Sequence, residues 1–245
     1  MWMICKKEWQ QFFSSLTGYL VLGIFLFITG LVFFFFPDTS LLNYGYANLD
    51  AFFNLMPWLL LLLIPAITMR SISEEIHSGT FELLKTLPLS VHQIVAGKYF
   101  GVLIVVFIAL LPTLVYACSM QALSITGGID MGAMIGSYIS LFLLAAVYAA
   151  IGIYASSLTT NTIAAFGLGA FICFVLFAGF NQLSKLPIFS GGADYYIQIF
   201  GIEHHTANMS RGIIDTKDLV YFAALIIFFG FLTQLRLNKQ INRIA

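Results

Sequence analysis

The chain alternates long apolar runs with short polar interruptions. Six runs, at 17–36, 51–69, 94–120, 133–157, 162–180 and 219–235, are almost free of charge, and about 20 residues at 1.5 Å each cross a hydrocarbon layer ~30 Å thick. Each run therefore predicts a membrane-spanning helix. Pro37-Asp38-Thr39-Ser40 ends the first, because a residue before proline avoids helical backbone. Pro57 and Pro65 lie inside the second, predicting a bent helix whose freed carbonyls are satisfied by neighbouring helices. Pro112 lies in the outer half of the third. Ahead of the first span, residues 1–16 put Trp2, Cys5, Trp9, Phe12, Phe13 and Leu16 on one helical face, with Lys6, Lys7, Gln10 and Gln11 mostly opposite. That predicts a short helix lying in the membrane interface. A cleaved signal peptide would not place Trp9, Gln10 and Gln11 ahead of its apolar core, so the segment is expected to be retained.

Composition agrees with the pattern: 60% of residues are hydrophobic and 9% charged, with mean hydropathy +0.94, against roughly 25% charged in soluble domains. The expectation is an all-α polytopic membrane protein with a single transmembrane domain over 1–245. Cys5, Cys118 and Cys173 lack disulfide or metal-type spacing, and the last two fall in apolar runs. Net charge is zero, and no arginine-rich or stacking-aromatic cluster suggests nucleic acid.

Lysine and arginine are distributed asymmetrically. Lys6, Lys7, Arg70, Lys85, Lys98, Arg236, Lys239 and Arg243 flank one side, whereas Lys185, Arg211 and Lys217 all lie in the long loop 181–218 on the other. The positive-inside rule puts both termini and the 70–98 loop in the cytoplasm. No span interior is assigned an Asp, Glu, Lys, Arg or His, which disfavours transport driven by a carboxylate relay or an ion channel with a charged filter. The chain also lacks a phosphate-binding loop: Gly97-Lys98 is followed by Tyr99, and His92 stands where the upstream glycine is required. An energy source would have to sit on another subunit.

The stretch 70–98 is the only charged, turn-punctuated segment long enough to meet a soluble partner. Ser71-Ile72-Ser73-Glu74 has the form of a capping box and predicts a helix start. Gly79 permits a turn, and Thr80 to Leu87 can form a second short helix stopped by Pro88, with Phe81, Leu84 and Leu87 on one face and Glu82, Lys85 and Thr86 elsewhere. Without further information, a solvated loop with a weak Glu82–Lys85 pair describes it as well.

Glu75-x-x-x-Gly79-Thr80-x-Glu82-x-Leu84, followed by Pro88-Leu89-Ser90 and Gly97-Lys98, resembles the loop after the second span of the ABC-2 type family of ABC transporter permeases. Asn208-Met209-Ser210-Arg211-Gly212-Ile213-Ile214-Asp215, with Asp218, Tyr221 and Phe222, is similar to the segment leading into that family's last span. The resemblance covers nearly the whole chain and is closest to the gliding-motility-associated permease subunit of Bacteroidetes-type bacteria. It implies an exporter-type permease in the bacterial inner membrane, with a cytoplasmic coupling helix within 71–90 between spans two and three and a long outer loop before span six. It also implies a second permease copy or related subunit as dimer partner, and a separate ABC ATPase that carries the ATP and magnesium, so that this chain is not itself an enzyme. The ATPase-coupling residues so implied are Glu74, Glu75, Gly79, Thr80, Phe81, Glu82, Leu84, Lys85 and Pro88, with Glu75 and Glu82 as charged contacts. The outer-loop motif comprises Arg211, Gly212, Asp215, Asp218 and Tyr221.

Other patterns carry less. Glu203-His204-His205 reads as surface polar residues rather than a metal set. Gly128-x-x-x-Gly132-x-x-x-Gly136 offers close helix packing at the entry to the fourth span. The stretch 187–202 is expected to dip back into the membrane. Two other function classes remain: a glutamate-type intramembrane protease, whose Glu-Glu motif begins at Glu74-Glu75 but meets Gly79 where arginine is needed, and a membrane scaffold.

Overall fold

The computed structural model describes residues 1–35, 49–80, 90–124, 130–187 and 192–242. Among them the chain is helical with no strand, and six helices are long and apolar enough to cross a membrane. Helix α1 (Trp2–Ser14) precedes α2 (Leu16–Phe35), the first span, and α3 (Asp50–Thr68), the second. After the short α4 (Ser73–His77), the third span is α5 (Val91–Leu110), a 3-10 turn (Leu111–Thr113) containing Pro112, and α6 (Leu114–Leu123). The fourth span is α7 (Met131–Leu158). The fifth is α8 (Thr162–Phe174), continued by a π turn (Val175–Gly179) and α9 (Phe180–Ser184). Two short helices, α10 (Ala193–Ile199) and α11 (Ile202–Ser210), lead to the sixth span, α12 (Thr216–Asn242).

Local chemistry sets these limits. Ser90 and Gln93 form a reciprocal capping box at the start of α5. The Asp130 carboxylate accepts from the amides of Gly132 and Ala133 at the start of α7, and Asn161 does the same for Ile163 and Ala164 at α8. Each side chain satisfies amides that a helix start leaves bare. The second span stays helical across Pro57 and Pro65.

The fourth span is the centre of the bundle. It packs against the second, third, fifth and sixth spans and against α11; 67% of its apolar window is buried, against 22% in the first and last spans. Its small residues Ala145, Ala149, Gly152 and Ala155 bring neighbours close, and Tyr148 is fully buried among them. Near one end of the bundle Phe33, Phe52, Tyr116 and Tyr138 form an aromatic cluster.

Helix α1 lies across the start of the third span. The contact is made by Ile4, Cys5 and Glu8 over Gly97 and Gly101, where an added Cβ would come within 2.9 Å of Ile4 Cβ and 2.7 Å of Glu8 Cβ. Trp2 and Leu16, on the apolar face expected toward the membrane, are exposed on the protein surface, while Trp9, Phe12 and Phe13 are half-buried. A glycine groove rather than the aromatic stripe therefore fixes where α1 docks.

Candidate functional site

The end of the bundle that carries α1, α4 and the start of α5 is held by one buried cation. Lys98 is 1% exposed, eight residues into α5. Its ammonium donates to Glu8 Oε1 at 2.7 Å and to the Ser71 carbonyl at 2.6 Å, and lies 2.9 Å from Glu75 Oε2. The other oxygen of Glu75 pairs with Lys7 at 3.1 Å. Two hydrogen bonds and an ion pair to Glu75 hold the ammonium, and two carboxylates balance two amines. Lys98 is buried in the third span's helix at this end of the bundle, level with Ser71, and Gly101 makes room for Glu8, whose carboxylate neutralises it. Cys5 is buried on the same helix as Glu8, and its thiol pKa is raised by burial and by the nearby Glu8 charge.

A second bracket comes from the fourth span. Ser156, fully buried, accepts from the amides of Ile72 and Ser73, each at 3.0 Å, and donates to the Met69 carbonyl at 3.0 Å. This corrects the capping box expected at Ser71-Ile72-Ser73-Glu74. Helix α4 begins at Ser73 with no side-chain cap of its own, because a hydroxyl 83 residues away takes that role. Ser71 instead turns its hydroxyl inward, where it has no partner among the described residues.

Of the remaining segment, Glu74 is exposed, Glu75 faces inward, and Gly79 adopts φ +72°, a left-handed conformation that ends α4. The Thr80 hydroxyl reaches back to the Glu75 carbonyl at 3.4 Å. Phe81, Glu82, Leu84, Lys85 and Pro88 lie outside the described residues, as do Gly128 and Arg243. A cavity of about 500 Å3 opens beside the cluster, between α1, the first span, the end of the second span with its 70–80 extension, and the third span.

At the opposite end, α11 is fastened to the fourth and sixth spans. His205 is buried rather than a surface residue. Its Nε2 lies 2.9 Å from the Ile199 carbonyl and its Nδ1 2.6 Å from Asp218 Oδ1, while Tyr221 stacks on the ring at 3.9 Å and donates its hydroxyl to the Phe200 carbonyl. A carbonyl can only accept, so Nε2 carries a proton and the Nδ1–Asp218 contact contains another. Gly212 turns the chain at φ +80°, with Gly132 and Ala133 backbone atoms 3.3 Å from where its Cβ would be, and the Met209 carbonyl packs close to Gly136. Asp215 accepts from the Lys217 amide at the start of α12, and Arg211 is exposed. The motif Gly212, Asp215, Asp218 and Tyr221 thus has a structural role: turn, cap and clamp. Among the described residues, no group of three or more His, Cys, Asp or Glu side chains could hold a metal ion.

Sequence reasoning missed Lys98, Ser156 and His205 as organising residues. The available signals were Gly97-Lys98-x-x-Gly101, a lysine inside an expected span beside small residues, and the downstream Asp218 and Tyr221.

Six apolar helices around a small-residue centre, with polar brackets at both ends, define a multi-pass membrane protein. The sequence profile of the ABC-2 family transporter proteins matches residues 37–202, more than half of the chain, and the chain belongs to that family as a membrane permease of the ABC transporter type. No curated protein matches it.

Proposed function

We propose that this chain is the permease subunit of an ATP-driven exporter, that 1–245 is one ABC-2 type transmembrane domain, and that segment 70–90 receives the motion of a separate ABC ATPase. In this reading the protein lies in the bacterial inner membrane with both termini in the cytoplasm. It pairs with a second permease copy or a related subunit, while ATP and magnesium bind the partner. The narrower role in gliding motility rests on the sequence likeness to that permease subunit.

The observation that carries the coupling role is the bracing of residues 69–75. Ser156 ties them to the fourth span, and Lys98 ties them to the third span and α1. A push on this segment is delivered to two membrane spans and α1 rather than absorbed by a loose loop. Glu75, with both oxygens engaged by Lys98 and Lys7, then positions the segment, and Glu74, Phe81, Glu82, Leu84 and Lys85 are left as the contacts toward the ATPase, delimited by Gly79, Thr80 and Pro88. The paired carboxylate of Glu75 is also a poor general base, which weighs against the protease reading. Co-purification tests the proposal: Phe81→Ala with Glu82→Ala should abolish ATPase capture while the permease still inserts and folds. Capture at the wild-type level would sink it.

A further inference from the structure

The 500 Å3 cavity falls within the size range of small-molecule sites and is divided in two by its lining. Toward the bundle it is walled by Val21, Ala66, Ile67, Val102 and Val105. Toward the end of the spans it is walled by Lys7, Thr17, Arg70, Ser71 and Glu74. Arg70 follows directly on the last turn of the second span, at the level where a spanning helix leaves the hydrocarbon. Its guanidinium donates to Thr17 Oγ1 at 3.2 Å and has no carboxylate within ion-pair distance among the described residues. Ser71 is 8% exposed, lines the cavity, and has a buried hydroxyl with no partner among the described residues. A guanidinium and a hydroxyl that line one cavity, with no carboxylate on the first and no hydrogen-bond partner on the second among the described residues, are a donor set for a phosphate oxygen.

Glu8, Glu74 and Glu75 also line the cavity. The last of these is neutralised by lysines and Glu8 by Lys98, whereas the exposed Glu74 carboxylate has no partner among the described residues. Its charge opposes a bare phosphate and suits a ligand that carries an ammonium next to its phosphodiester. The apolar half suits an acyl chain. We infer that this cavity binds the headgroup of a zwitterionic phospholipid of the phosphatidylethanolamine type, phosphate on Arg70 and Ser71, ammonium on Glu74, and acyl chain against Val21, Ala66 and Val102. This site shares Glu74 with the segment proposed to face the ATPase, but its occupant comes from the bilayer and its binding is read on the permease alone.

The test is lipid binding by the delipidated full-length protein in detergent, read by native mass spectrometry and by the thermal unfolding midpoint. Phosphatidylethanolamine should bind and raise Tm. Arg70→Gln should weaken it about tenfold, the loss of one charge-assisted contact. Glu74→Gln should reverse the headgroup preference, so that phosphatidylglycerol binds as well as or better than phosphatidylethanolamine. Because Arg70 and Glu74 are exposed, both variants are expected to unfold at the wild-type temperature without lipid. Equal lipid affinity in Arg70→Gln would overturn the site. An unchanged headgroup preference in Glu74→Gln would overturn the ammonium assignment, and glycerophosphoethanolamine binding as tightly as the intact lipid would overturn the lipid as its source.

Discussion

A lysine ammonium withdrawn from water must find an acceptor for each of its three N–H bonds, and Lys98 has Glu8, Ser71 and Glu75 around it. Lys98→Met leaves two carboxylates facing each other with little water, and breaking a buried pair from one side costs about 3–5 kcal/mol. Thermal unfolding in detergent should show that loss, with much of it recovered when Glu8→Gln and Glu75→Gln are added. Cys5 offers a second readout: its thiol, held protonated by burial and Glu8, should alkylate slowly in the wild type and faster once α1 loosens in Lys98→Met. Unchanged unfolding and labelling would show that α1 is held by other contacts. The His205–Asp218 contact obeys the same logic. His205→Phe keeps a ring for Tyr221 to stack on but strands Asp218, and should cost about 3–5 kcal/mol. Asp218→Asn can still offer an amide to Nδ1, so it should cost only about 1 kcal/mol. Equal losses in the two variants would contradict this proton arrangement.

At the scale of elements, the bracing of α4 by Ser156 has a direct signature. Ser156→Ala removes the acceptor of two buried amides and should cost about 1–3 kcal/mol for each one left bare. Hydrogen exchange at Ile72 and Ser73 should speed up in that variant, and unchanged exchange would mean that other groups protect them. This bracket also marks the limit of what spacing can reveal. The six spans were legible because the bilayer demands about 20 apolar residues wherever a helix crosses it. Their ends were less so: the sixth helix continues to Asn242, beyond the apolar run ending at 235, because Lys239 and its polar neighbours suit a helix outside the hydrocarbon. The fifth runs on through a π turn to Ser184. The site was scarcely legible. Ser71-Ile72-Ser73-Glu74 satisfies the local rule for a cap, yet the fold supplies Ser156 from a distant helix, and Glu8 meets Lys98 across 90 positions. Pairings made by packing leave no periodicity in the chain.

For the whole molecule, the fourth span meets both polar ends. Its final turns hold residues 69–73 through Ser156, and its first turns hold α11, with Ser137 donating to the Ser210 carbonyl and Ser140 to that of Thr206. At 28 residues it is about 42 Å long, a span over which energetic coupling requires an element that moves as a body. If it carries motion from the segment proposed to face the ATPase to the opposite end, disabling either bracket interrupts one relay. Ser156→Ala and Ser137→Ala should then each reduce ATP-driven turnover of the reconstituted complex, and the double variant should be little worse than the more impaired single one. Stability should behave differently, because sites this far apart with no shared partner add within about 0.5 kcal/mol. Additive unfolding with non-additive turnover is the expected pattern, measured on the same four proteins. Turnover losses that simply multiply would mean that the two ends act independently, and that the central helix is a scaffold rather than a transmitter.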